Sequence, residues 1–206
     1  RRSRREVEKE PISMSELAGA LYAGLGIVGF VKTESAVLPL KMTPSGGARN
    51  PYEAFVWVRS VEGLQPGIYH YSAVENSLEQ IKEAPNLLPS EVHKGQDWAD
   101  DMSAIVFLVA YLERSSWKYS DDYAYKAVLI EAGHIGQNMM LHCADKGLTA
   151  CPTAALNHDI LGEMLGLEDI TQFAAYSLLI GRPKPCEDII YPISEYRTLQ
   201  NQLSFQ

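Results

Sequence analysis

Cysteine is scarce in this chain: Cys143, Cys151 and Cys186 are the only three in 206 residues, and no two stand in a CxxC spacing. An odd, unspaced set of this kind excludes a disulfide framework and a zinc ribbon, so no metal centre is expected and a reducing, cytoplasmic setting fits best. Positive charge is in deficit, with 18 Lys and Arg against 26 Asp and Glu and a net charge of −8. That balance excludes a surface tracking nucleic-acid phosphates, which draws its affinity from clustered positive charge. No apolar run reaches the roughly 18 residues that a bilayer span needs. The first residues also lack the apolar stretch of a secretory signal. A Walker-type loop, an ordered Ser-His-Asp set, internal repeats and low-complexity blocks are all missing.

What remains is 46% hydrophobic and 9% aromatic, enough for one proper core. A single domain is expected over residues 1–206, with 186–206 as a C-terminal tail that has no clear period. Ser13 followed by Glu16 forms a capping box ahead of apolar residues at helical spacing, which predicts a helix over 13–25. Residues 53–58, 67–71 and 77–81 read as three strands, the last two joined through Glu75-Asn76. The apolar run AIVFLVAYL (104–112) reads as a covered central strand. Residues 121–146 carry the longest helical pattern, with apolar side chains spread around its circumference, and are expected to form a buried spine closed by Gly147. A short strand ending near Pro152, a small helix over 159–165 and a strand over 173–181 complete an α+β pattern.

Several residues stand out chemically. RRSRR, at residues 1–5, masses four guanidinium groups around one hydroxyl, a set of donors suited to a phosphate. The stretch KMTPSGGARNPYE (41–53) is a loop whose glycines allow close backbone approach to a ligand. His134, Asn138 and His142 share a helix face without a carboxylate to complete a metal triad, so they are assigned to core or interface hydrogen bonds. Cys151 is expected to be a buried, inert thiol. Tyr22, Tyr123 and Tyr125 are assigned to core or interface.

The ordered set RRSRR, PSGGARNPYE (44–53), GLQPGIYHY (63–71), WKY (117–119), EAGHIGQN (131–138) and GLTACP (147–152) resembles the flavin-dependent nitroreductase superfamily. More narrowly, it resembles the SagB-type azoline dehydrogenase branch. The resemblance is collinear from Arg1 to about Arg182. It implies a nitroreductase-like α+β fold, with a central, mainly antiparallel sheet flanked by helices. It also implies an intertwined homodimer holding one FMN in each of two interfacial pockets, the tail over 186–206 embracing the partner.

By the same resemblance, Arg1, Arg2, Ser3 and Arg5 grip the FMN phosphate, with Arg182 among the cofactor-binding residues. Pro44, Ser45, Gly46 and Gly47 reach the flavin from the other subunit, and Pro152, Thr153, Ala154 and Ala155 line its ring. Many members carry an acidic residue and a glycine where this chain has Ala154 and Ala155, which argues against a nicotinamide donor. Lys118 and Tyr119 match a catalytic Lys-Tyr pair. Turning an azoline into an aromatic azole sends a hydride from one carbon to the flavin and a proton from its neighbour to a base. A desolvated lysine suits the base, and a tyrosine hydroxyl can orient the ring or relay the proton.

The function implied is oxidation of thiazoline or oxazoline rings in a peptide or carrier-bound natural-product intermediate. A cyclodehydratase or assembly-line protein is an implied partner, whereas nucleic acid and membrane are not. Two alternatives stay open: an NAD(P)H-dependent nitro- or quinone reductase, and a non-catalytic dimeric partner of a cyclodehydratase.

Overall fold

The computed structural model describes residues 1–34, 36–119, 122–167, 170–185, 192–195 and 200. Helix α1 spans Met14–Leu25 and starts as its sequence dictates. The Ser13 hydroxyl accepts from the Glu16 amide, and the Glu16 carboxylate accepts from the Ser13 amide at 2.7 Å. Strands β1 (Ile27–Lys32) and β2 (Val37–Lys41) then pair as a separate antiparallel hairpin. The sequence reading assigns no element there. Its apolar residues face solvent on both sides, Phe30 and Val37 more than 60% exposed, so no one-sided alternation marks it.

Strands β3 (Tyr52–Val58), β4 (Gly67–Ser72) and β5 (Ser77–Glu83) form the expected meander. Asn76 takes a positive φ in the β4–β5 turn and accepts a hydrogen bond from the Tyr71 hydroxyl. A short helix α2 (Pro89–Val92) and a 3-10 turn (Asp97–Asp101) lead into β6 (Ala104–Tyr111), then α3 (Glu113–Ser116) and α4 (Asp122–Asp145). Strand β7 (Thr149–Thr153), α5 (His158–Leu165) and β8 (Gln172–Gly181) follow, with Gly147 supplying the left-handed residue after α4.

Six strands form one antiparallel sheet in the order β5-β4-β3-β6-β8-β7. The strand period of two divides its residues between two cores. Ala54, Val56 and Val58 with Val106 and Leu108 face α1 and α4, whereas Phe55, Trp57, Ile105, Phe107 and Val109 face α2 and α5. Helices thus cover both faces of the α+β fold that the sequence implies. Burying both faces also explains why β6 reads as a continuous apolar run rather than an alternating one.

Helix α4 differs from expectation in one respect. Its stripe of Ala124, Val128, Ala132, Ile135, Met139 and Cys143 is buried, but Leu129, Ile130 and Leu141 on the outer side are 42%, 50% and 51% exposed. A helix touching a sheet on one side buries one stripe, so an all-round apolar pattern leaves residues needing another cover. Tyr22, Tyr123 and Tyr125, assigned to core or interface from sequence, are likewise exposed in the chain alone. Residues 186–191, 196–199 and 201–206 lie outside the described residues, and with them most of the expected tail. Among the described residues, no helix is long and apolar enough to cross a membrane.

Candidate active site

The amino-terminal segment is tied along the β7–β8 end of the sheet. The Arg4 amide donates to the Thr149 hydroxyl at 3.0 Å, and the Cys151 thiol donates to the Arg4 carbonyl at 3.1 Å. Further on, Glu8 N donates to Arg182 O and Lys184 N to Glu6 O, with Val7 bridged to Pro183. These bonds present Arg1, Arg2 and Arg4 to a cleft of about 230 Å³ lined also by Ala144, Gly147 and Thr149, with no carboxylate lining it among the described residues. Arg5, assigned to the phosphate from sequence, instead lays its guanidinium over the Trp98 ring at 5.2 Å, and Ser3 is exposed. The cleft therefore uses Arg4, which the sequence reading left out. The Thr149 and Cys151 contacts that hold the Arg4 backbone and the Trp98 ring that takes Arg5 decide this, and a motif match carries no such information.

Arg182 has a different setting from the one expected of it. Its guanidinium holds Glu16 at 3.1 Å and Glu10 at 3.7 Å, joining β8 to the start of α1. Burial alone would raise the Glu16 carboxyl. The Ser13 amide, the Arg182 guanidinium and the Ser13 hydroxyl outweigh it and hold the group below the ordinary glutamate range.

Pro152, Thr153, Ala154 and Ala155 follow directly on the arginine-bearing end. The Thr153 hydroxyl accepts from Gln96 Nε2 and from the Ala155 amide at 3.1 Å, turning the chain out of β7. Beneath it, His93 is fully buried, with Nδ1 2.7 Å from the Pro89 carbonyl and Nε2 3.0 Å from the Ser177 hydroxyl. A carbonyl only accepts, so Nδ1 carries the proton and Nε2 accepts from Ser177. Burial pushes the His93 pKa down, which keeps the ring neutral.

The second group of expected residues gathers at the other end of α4. Gly47 has φ 59° and Ala48 and Asn50 also adopt positive φ, so left-handed backbone is concentrated in this one loop. A Cβ built on Gly47 would lie 2.7 Å from Lys118 Nζ and 2.9 Å from the Tyr119 hydroxyl oxygen. Lys118 and Tyr119, delivered by the turn after α3, thus converge on the glycine whose missing side chain makes room for them. Gly46, Tyr119, Tyr123, Lys126, Ala127 and Ile130 line an adjoining cavity of about 370 Å³.

Glu131, buried on α4, lies beneath the loop, where the Ser45 hydroxyl and the Gly46 amide act on its carboxyl as donors. Burial raises its carboxyl pKa, against the pull of those two donors and of Lys41. The sequence reading missed Glu131. The signal was present, because it is the one acid among residues that share the apolar register of Val128, Ala132 and Ile135. Of the other helix-face residues, Asn138 donates to the Thr43 hydroxyl at 3.2 Å, His142 packs on Gly19, and His134 is exposed.

The two groups lie far apart. From Ala127, beside the loop, to Ala144, beneath the arginines, the helix rises about 26 Å at 1.5 Å per residue. One ribityl phosphate carrying one tricyclic ring is shorter than that.

Comparison with known proteins agrees with the architecture. The Nitroreductase family model matches residues 1–182. The chain belongs to the nitroreductase family. It is similar to MJ1384 of Methanocaldococcus jannaschii, a nitroreductase by name, with 29% identity over 174 residues covering 82% of each protein. It is also similar to the trifolitoxin-processing protein TfxB of Rhizobium leguminosarum bv. trifolii. There the identity is 29% over 153 residues, covering 69% of this chain but only 39% of TfxB. Among solved structures, the E. coli microcin synthetase McbBCD complex with truncated pro-MccB17 bound superposes with a TM-score of 0.70 at 20% identity. That match covers 91% of this chain and 71% of the other. Nitroreductases typically bind flavin, and this one is an oxidoreductase of that fold.

Proposed function

We propose that this nitroreductase is an FMN-dependent azoline dehydrogenase that converts thiazoline or oxazoline rings, in a peptide or carrier-bound intermediate, to the aromatic azoles. The observation that carries the reading is the convergence of Lys118 Nζ and the Tyr119 hydroxyl on Gly47, within the Pro44–Gly47 loop. The similarity to TfxB and to the McbBCD complex, both named for the making of peptide toxins, favours a peptide substrate.

The residues fit FMN. A cleft lined by three arginines, and by no acid among the described residues, suits a phosphate of nearly two negative charges, and charge-assisted hydrogen bonds contribute about 1.5–3 kcal/mol each. FMN fits better than a cofactor with a longer phosphate bridge, because the arginines are grouped at one place. When bound, the flavin supplies the hydride acceptor. Arg1, Arg2 and Arg4 would hold its phosphate, the Pro152–Ala155 segment would line its ring, and the loop of a second subunit would close over it. The distance along α4 supports this two-chain site, since one chain holds both halves but keeps them apart. Lys118 would take the proton from the carbon next to the one that loses hydride. Lys118 is exposed in the chain alone, so the desolvation that makes an amine a base at neutral pH would come from the second subunit and the substrate.

The test is mass spectrometry of a thiazoline-containing peptide incubated with the FMN-loaded protein and air. Loss of two hydrogens is expected. Lys118→Ala should slow it about a hundredfold while retaining flavin, the usual worth of a positioned acid-base group. Tyr119→Phe should slow it less if the hydroxyl only orients the ring. An undiminished rate in Lys118→Ala would remove the proposed base. The similarity to MJ1384 favours a second reading, an NAD(P)H-dependent nitro- or quinone reductase. That reading requires NADPH to bleach the bound flavin without oxygen, whereas an azoline dehydrogenase requires no such reaction.

A further inference from the structure

A larger cleft of about 500 Å³ lies under the β1–β2 hairpin, against β3 and β4. It shares a wall with the flavin loop: Gly46 lines the cavity beside Tyr119, and Ala48, Arg49 and Asn50 line this one. In a chain of net charge −8 its charged lining among the described residues runs the other way, with Lys41, Arg49 and Arg114 against Glu53 and with His70 beside them.

The partners of these groups identify which charge is left over. Arg114 Nη1 holds Glu53 Oε1 at 2.7 Å and the Asn50 carbonyl at 3.2 Å, and its face lies over Tyr111. His70 Nε2 takes the other oxygen of Glu53 at 3.1 Å. Arg49 donates through Nε to the Gly47 carbonyl and lies over Trp117. Both carboxylate oxygens of Glu53 are therefore engaged by other side chains. The Lys41 ammonium, by contrast, has no hydrogen bond or ion pair among the described residues, although the residue is half-buried. Burial pushes its pKa down, while the Glu53 and Glu131 carboxylates lift it and Arg114 lowers it further. An ammonium removed from much of its water, with no acceptor of its own and opening into a cleft, requires an anion to complete it.

We infer that this cleft is a docking site for an acidic side chain of a peptide, whose carboxylate binds Lys41 between the hairpin and the flavin loop. A single negative charge matches the site better than a phosphate. Glu53 and Glu131 flank Lys41 and would repel a second negative charge, Arg114 is paired with Glu53, and Arg49 is turned to the Gly47 carbonyl and the Trp117 face. Ile27, Leu38, Pro39 and Val74 give the remaining wall an apolar stretch that accommodates the chain on either side of the acid. The choice of a peptide as occupant rests on the peptide-modifying function proposed above, whereas the demand for an anion rests on Lys41 alone.

The experiment is titration calorimetry of the FMN-loaded protein with the capped pentapeptide acetyl-Gly-Glu-Ala-Glu-Gly-amide and with its Gln counterpart. The acidic peptide is expected to bind at least tenfold more tightly. Lys41→Gln should abolish that preference at an unchanged melting temperature, and Lys41→Arg should keep most of it. Equal binding of the two peptides, no binding of either, or an undiminished preference in Lys41→Gln would overturn the assignment. So would inorganic phosphate displacing the acidic peptide at lower concentration than acetate does, since the site would then be a phosphate site. No turnover is measured, so failure here leaves azoline oxidation standing, and failure of azoline oxidation leaves a positive titration intact.

Discussion

Lys118 and Tyr119 were legible as a pair in the sequence, but what they face was not. Their convergence on Gly47 depends on a left-handed turn 71 residues upstream, and no local spacing records it. The same holds for the arginines, where the motif was evident and the division of labour between Arg4 and Arg5 was decided by the Thr149 and Trp98 contacts. His93 carried no sequence signal at all, being one histidine in a polar stretch, yet it supports the Pro152–Ala155 segment through Ser177. Its pKa is depressed in the fold, so the unfolded chain binds the extra proton. Stability is then fully present above the ordinary histidine pKa of about 6.5 and is lost as pH falls below it. Thermal melts of the wild type should therefore decline from pH 7 towards 5, and the decline should be shallower in His93→Gln. Glu131, whose carboxyl is raised, acts with the opposite sign, losing stability as pH rises from the usual carboxylate range through its own pKa. The difference between the two proteins isolates the histidine.

At the scale of elements, periodicity located α1, the meander, β6, α4, α5 and β8, because each has one or two faces that must be dry. It failed on the β1–β2 hairpin, where neither face is dry, and on α2 and α3, which are single turns. Helix α4 does two separate tasks: its apolar stripe packs on the sheet, and Glu131 in that stripe fixes the loop above it. Replacing Glu131 by Gln keeps the volume but leaves at most one acceptor oxygen for the Ser45 and Gly46 donors. We expect a loss of about 1–3 kcal/mol in denaturant unfolding, the cost of leaving a buried donor without its acceptor. The Gly46–Gly47 amides should also exchange with deuterium faster than in the wild type, whereas those of β6 should not. Unchanged protection of the loop would show that its left-handed residues hold it without Glu131.

For the whole molecule, the two-chain site proposed above and the exposed Leu129, Ile130 and Leu141 point to the same cover, a second chain. The sequence displayed the excess of apolar residues on this helix, but pattern alone cannot distinguish a side chain buried within a chain from one buried between chains. On that proposal the protein runs as a dimer in size-exclusion chromatography with light scattering, Ile130→Glu converts it to a monomer, and FMN retention falls with it. A monomer holding a full complement of flavin would contradict the two-chain site. The thiol of Cys151 offers a view of the same assembly from inside. It is buried beneath the amino-terminal segment, tied to the Arg4 carbonyl and beside the Thr149 hydroxyl, and burial pushes its pKa up despite Thr149 and Arg5. A maleimide can therefore reach it only when that segment lifts away from β7. In a Cys186→Ser background, with Cys143 enclosed in the opposite core and its pKa pushed up to about 12, the alkylation rate becomes a clock for the lifting of this one segment. Because the same segment bears Arg1, Arg2 and Arg4, that clock should run slower as FMN is added.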